Sequence, residues 1–124
     1  MRSAALVAVT VVTLALAAGA SGALRDKYCS PTGDYCTSAL KKAGTIKLTL
    51  STFSFSGRYR LCVKPIGAAQ TCKSFPLRRR GDVWRSEVTW YKNFPKRSTG
   101  IFRATWFYGG VRLGPPLTFV VANS

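Results

Sequence analysis

The chain has 124 residues, enough for one domain, and sets 19 Lys+Arg against 4 Asp+Glu with no His, a formal net charge of +15. The missing histidines and the scarcity of carboxylates exclude Ser-His-Asp and Cys-His catalysis, HExxH zinc chemistry and most paired-carboxylate mechanisms. The expectation is a small, basic, non-enzymatic protein with no cofactor.

Residues 1–23 read as a secretory signal peptide. Arg2 supplies the charge, Ala4 to Ala18 form an apolar run, and small residues follow. That run is shorter than the roughly 20 apolar residues a membrane-spanning helix needs. Ala18-Gly19-Ala20 and Ser21-Gly22-Ala23 both suit signal peptidase, and cleavage after Ala23 is favoured. No stop-transfer charge cluster directly follows the run. Cys29 follows Asp26-Lys27-Tyr28 and not the Leu-small-small triplet of a lipoprotein. Residues 24–124 are then expected to form the single mature domain, secreted and extracellular or envelope-associated, with 18 basic against 4 acidic side chains once Arg2 is removed. All 3 Trp, 5 Tyr and 7 Phe belong to it. A chain of this length can bury about 60 to 70 per cent of its unfolded surface, so the core is thin.

In an exported chain, Cys29, Cys36, Cys62 and Cys72 read as two disulfides in preference to a zinc site, since the spacings are not CxxC and no histidine can complete a mixed site. Three pairings exist. Cys29 and Cys36 bracket the turn-forming Ser30-Pro31-Thr32-Gly33-Asp34, and Cys62 and Cys72 bracket Pro65-Ile66-Gly67, which favours local bridges. In a hairpin with Cys62 opposite Cys72, Val63 faces Thr71, Leu61 faces Lys73 and Tyr59 faces Phe75. Tyr59, Leu61, Val63 and Phe75 then share one face, and the cysteines share the other with Arg58, Arg60 and Lys64. Closing loops of this size contributes about 2 to 3 kcal/mol each on a loop-entropy argument.

From Gly44 onward the apolar pattern has period two. Ile46, Leu48 and Leu50 alternate with Lys47 and Thr49, and Tyr59, Leu61 and Val63 with Arg60 and Cys62. Phe75 and Leu77 continue the pattern. Trp84, Val88 and Trp90 share a parity opposite Arg85, Glu87 and Thr89, and Phe102, Ala104, Trp106 and Tyr108 oppose Arg103 and Thr105. Gly109-Gly110 suits a two-residue primed turn, which folds Val111 to Leu113 back so that Phe107 faces Arg112, with ring and guanidinium placed to stack. Pro115-Pro116 break the ladder before a last strand over 117–122. Thr37 to Lys42 can form one helical turn. Six or seven short strands in about a hundred residues predict an all-β fold, an antiparallel sandwich.

The stretch from Gly100 through Trp106-Phe107-Tyr108-Gly109-Gly110 to Gly114, followed by Leu117-Thr118-Phe119-Val120-Val121, resembles the last hairpin of immunoglobulin-like and fibronectin-type-III-like bacterial extracellular domains. Together with Tyr28 to Cys36, the whole is similar to small secreted bacterial proteins without an assigned activity. The resemblance implies an immunoglobulin-like sandwich. One departure is that the expected Cys62–Cys72 bridge faces solvent within one sheet, where immunoglobulin domains link two sheets through the core. Such folds host many roles, so the resemblance gives architecture and not function.

The charge exceeds ordinary solubilisation and points to an anionic partner. It clusters at Lys41-Lys42, at Arg78-Arg79-Arg80, and at Lys92 with Lys96-Arg97, and a strand-borne set of Lys47, Arg58, Arg60, Lys64, Arg85 and Arg103 adds a solvated face. Arg78, Arg79, Arg80, Lys92, Lys96 and Arg97 are the expected polyanion-binding residues. The partner is an anionic envelope polymer or acidic polysaccharide, with nucleic acid, an anionic lipid surface or a protein as further candidates. Most aromatic residues fill the core, with Tyr91 and Phe107 expected at the surface. Arg80-Gly81-Asp82 is ordinary turn chemistry. Two alternatives are a cationic antimicrobial or toxin-like effector, which requires an exposed amphipathic surface although no amphipathic helix of useful length is visible, and a protein-binding or inhibitor domain with a salt-tolerant interface.

Overall fold

The computed structural model describes residues 25–42, 44–90 and 99–121. The expected signal peptide, Tyr91, Lys92, Lys96 and Arg97 lie outside the described residues.

The described chain is built of strands: β1 (Lys27–Cys29), β2 (Tyr35–Lys42), β3 (Thr45–Thr52), β4 (Arg58–Pro65), β5 (Thr71–Pro76), β6 (Arg78–Arg80), β7 (Val83–Thr89), β8 (Gly100–Tyr108) and β9 (Val111–Val121). They form two antiparallel sheets in the orders β1-β2-β3-β7-β6 and β5-β4-β8-β9, which pack as a sandwich. Alternation decides what each sheet hides. Leu48 and Leu50 of β3, Val88 of β7, Leu61 of β4, Ala104 and Trp106 of β8 and Leu117 of β9 turn inward and are almost wholly buried. At one end Trp90, Phe102 and Phe119 pack ring against ring, with centroids 4.9 to 5.5 Å apart. Near the middle the Tyr59 hydroxyl meets Ser86 Oγ at 2.8 Å, joining the sheets by a hydrogen bond through the core.

The β4–β5 hairpin has the expected register, with Cys62 opposite Cys72, Leu61 opposite Lys73 and Tyr59 opposite Phe75. Both disulfides are local, Cys29–Cys36 and Cys62–Cys72, and each joins directly opposed residues of neighbouring strands. All four cysteines are therefore consumed and none is a thiolate. The second bridge lies on the outer face of its sheet, as expected, yet Cys62 keeps only 2% of its surface. It sits on β4, with β5 on one side and β8 on the other. Gly109 and Gly110 both take positive φ, +58° and +82°, and Phe107 stands opposite Arg112.

Three expectations are corrected. Residues 37–42 form no helical turn. They belong to β2, paired along its whole length with β3 from Tyr35↔Thr52 to Lys42↔Thr45, and that ladder overrides a weak local preference. Pro115 and Pro116 do not end the strand: β9 runs through them, because it is an edge strand and a bulge between Ala104 and Trp106 absorbs the missing donors. The strands number nine among the described residues, more than the six or seven expected. The extra ones include β1, three residues held against β2, and β6, an all-arginine edge strand.

The segment before β1 closes one side of the sandwich. Ala39 N–H donates to the Asp26 carbonyl at 2.8 Å, within the first sheet, and Thr118 N–H of β9 donates to the Arg25 carbonyl at 2.7 Å, across to the second.

Candidate functional site

The strand-borne cations divide between two opposite outer faces. Lys47 and Arg85 stand on the outer face of the first sheet, where neighbours occupy them. Lys47 Nζ donates to Thr89 Oγ1 at 2.8 Å, Arg85 Nη1 to Ser51 Oγ at 3.2 Å, and Arg85 lies 3.9 Å from Glu87. The arginine run of β6 is split by the same alternation. Arg78 and Arg80 project with Arg85 and Val83, their partners on β7, whereas Arg79 pairs with Trp84, lies 5.5 Å from its ring and donates to the Gly81 carbonyl. Arg78 to Arg80 are thus one edge strand with two faces and not one patch. Arg80-Gly81-Asp82 spans the exposed β6–β7 turn, with Gly81 at φ +66°.

The second sheet differs in kind. Asp26, Asp34, Asp82 and Glu87, the four carboxylate side chains of the chain, all lie in or beside the first sheet. The outer face of β4, β8 and β9 carries Arg58, Arg60, Lys64, Arg103 and Arg112 with no carboxylate side chain among the described residues. Arg58 is held by Ser74, donating from Nε to its Oγ and from Nη2 to its carbonyl, both at 3.1 Å. The side chains of Arg60, Lys64, Arg103 and Arg112 make no hydrogen bond or ion pair among the described residues. Register orders them in two rows: Arg60, Phe107 and Arg112 across the three strands, and Lys64, Arg103 and Thr118 four residues away, about 13 Å at strand rise. Lys64 and Arg103 are directly opposed like charges, an arrangement that disfavours the bare sheet and that an anion relieves.

Between Arg58, Arg60, Gln70, Ser74, Phe107 and the Gly109-Gly110 turn runs a groove of about 590 Å³, floored by the Cys62–Cys72 bridge. Phe107 is half-buried and faces outward. Arg112 and Phe107, placed so that they could stack, do not: the cation–ring contacts among the described residues are Lys73 over Phe75 and Arg79 over Trp84. Alternation places the cations of β4 and β8 on a solvated face together with Lys47 and Arg85, and only the neighbourhood of strands, which alternation does not carry, separates the two sets.

Neither a family model nor a curated protein matches the sequence. A solved structure described as the "Br derivative BhCBM56" is similar at 15% identity and a TM-score of 0.44, over 77% of this chain and 98% of that one. At that level the similarity assigns no role to any residue here. No helix among the described residues is long and apolar enough to cross a membrane.

Proposed function

We propose that this chain is a secreted, non-enzymatic, cationic immunoglobulin-like module that associates with an anionic cell-envelope or extracellular polymer. The observation that carries the reading is the segregation of charge: five cations and no carboxylate on one outer sheet face, four of the five without a partner among the described residues. Groups held ready in this way bind an extended polyanion through many weak, screened contacts and need no reactive centre. Two disulfides in so small a domain support an oxidising, extracellular setting. The order β2-β3-β7-β6 opposite β4-β8-β9 supports the immunoglobulin-like assignment, since it is the order ABED against CFG, with β5 added at the edge of the second sheet.

The test is retention of the oxidised protein on an immobilised acidic polysaccharide, purified wall polymer and DNA, each eluted with sodium chloride. Retention that falls steeply and linearly on a log–log salt plot is expected. Absence of retention on every matrix would overturn the reading.

A further inference from the structure

The outer face of the second sheet carries a feature that a soluble polyanion does not require. Beyond the Lys64–Arg103 row, the next outward positions are Ile66, just past the end of β4, Ile101 of β8 and Val120 of β9, exposed to 54%, 48% and 59%. They form one row: Ile101 pairs with Val120, and Ile66 N–H donates to the Ile101 carbonyl at 3.0 Å, extending the β4–β8 ladder past Pro65. Each sits two residues from the adjoining row, Ile66 from Lys64, Ile101 from Arg103 and Val120 from Thr118, so the aliphatic and polar rows are neighbours on one surface. In a domain whose core is thin, three aliphatic side chains left together in water cost solubility and contribute nothing to the interior.

We infer that this face docks on a bilayer displaying anionic headgroups, with Ile66, Ile101 and Val120 entering the headgroup–acyl boundary and Lys64, Arg103, Arg60 and Arg112 lying over the headgroups. The occupant follows from the pairing of chemistries. An anionic polymer satisfies the cations and leaves the aliphatic row in water, and a second copy of the chain would bring like-charged rows together. An anionic bilayer satisfies both, and the absence of Asp and Glu side chains from the described face removes their repulsion. The inference shares its cationic rows with the anion-binding reading above, and differs from it in requiring the aliphatic row.

The experiment compares the oxidised protein on vesicles of phosphatidylglycerol with phosphatidylcholine, on phosphatidylcholine alone, and on a dextran sulfate resin, across a salt gradient. The protein should hold to the anionic vesicles at salt concentrations that release it from the resin, and should not hold to phosphatidylcholine. Replacing Ile66, Ile101 and Val120 together by Thr, which keeps strand propensity at exposed positions, should weaken retention on anionic vesicles by about tenfold or more and leave the resin elution unchanged. Val120→Thr alone, the mildest change, should show a smaller loss in the same direction should the triple variant fold poorly. Release from vesicles and resin at the same salt, or a self-association that the Thr replacements abolish, would overturn the inference. Binding to vesicles without binding to the resin would instead overturn the polymer reading and leave this one standing.

Discussion

Two buried hydroxyls show opposite economies at the scale of single residues. Thr37, 1% exposed and facing Leu50, has no hydrogen-bond partner for its Oγ1 among the described residues. A buried hydroxyl without a partner costs free energy, and valine fills nearly the same volume with better strand propensity. Thr37→Val should therefore stabilise the fold by about 1 kcal/mol, read as a rise in the urea midpoint at unchanged slope. Tyr59 is the converse, since its hydroxyl is satisfied by Ser86 while burial pushes its pKa from 10.0 to about 12, the hydrogen bond offsetting only part of that rise. A raised pKa means that the folded state favours the neutral phenol. Its contribution is complete below pH about 10 and is lost as pH climbs to about 12, by about 2 to 3 kcal/mol in all. Tyr59→Phe should lower stability by about 1 kcal/mol at neutral pH, through the lost bond to Ser86, but should decline less over that alkaline window. Urea midpoints measured for both proteins at several pH values separate the two effects, and parallel curves would remove Tyr59 from the account.

For whole elements, the closure of the sandwich by the N-terminal segment depends on a close approach. Gly114 of β9 sits at φ +77°, and a β-carbon there would come 2.5 Å from the Tyr28 ring of β1. Gly114→Ala combines an unfavourable backbone with a clash and should destabilise by about 1 to 3 kcal/mol, with the amides of Ala39 and Thr118 losing hydrogen-exchange protection first. Unchanged protection at those two amides would show that the segment does not close the fold. How legible the elements were in the sequence follows from how local their determinants are. The β4–β5 hairpin could be registered residue by residue because it carries its disulfide across facing positions, and β8–β9 only next to its Gly109-Gly110 turn, from Tyr108↔Val111 to Trp106↔Leu113, since the shift at Gly114-Pro115-Pro116 that sets the rest has no local signal. β2 was hidden because its inward positions, Thr37 and Ala39, are polar or small while Leu40 points outward, so hydrophobicity has no period there. β6 was hidden for a simpler reason: three consecutive arginines carry no apolar pattern at all, and only pairing with β7 makes them a strand.

For the molecule as a whole, the candidate site was only partly legible. The excess of positive charge and the facing of Arg58, Arg60 and Lys64 with the disulfide were readable, because they lie within one hairpin. The placement of Arg103 and Arg112 beside them, and of every carboxylate elsewhere, depends on β8 lying next to β4 and on β7 lying in the other sheet, contacts made between residues distant in sequence. Net charge alone would draw the protein to any polyanion without preference for a face, whereas the proposed reading assigns the contact to the one face where the cations are segregated. The measurement that separates these is the salt slope of elution from an acidic polysaccharide for two variants of equal charge. One carries Arg60→Gln, Arg103→Gln and Arg112→Gln on the second sheet, and the other Lys27→Gln, Lys42→Gln and Lys47→Gln on the first. The first variant should elute at clearly lower salt with a slope reduced by about two to three, and the second should stay near the parent. Equal shifts in the two variants would contradict it and leave net charge as the whole explanation.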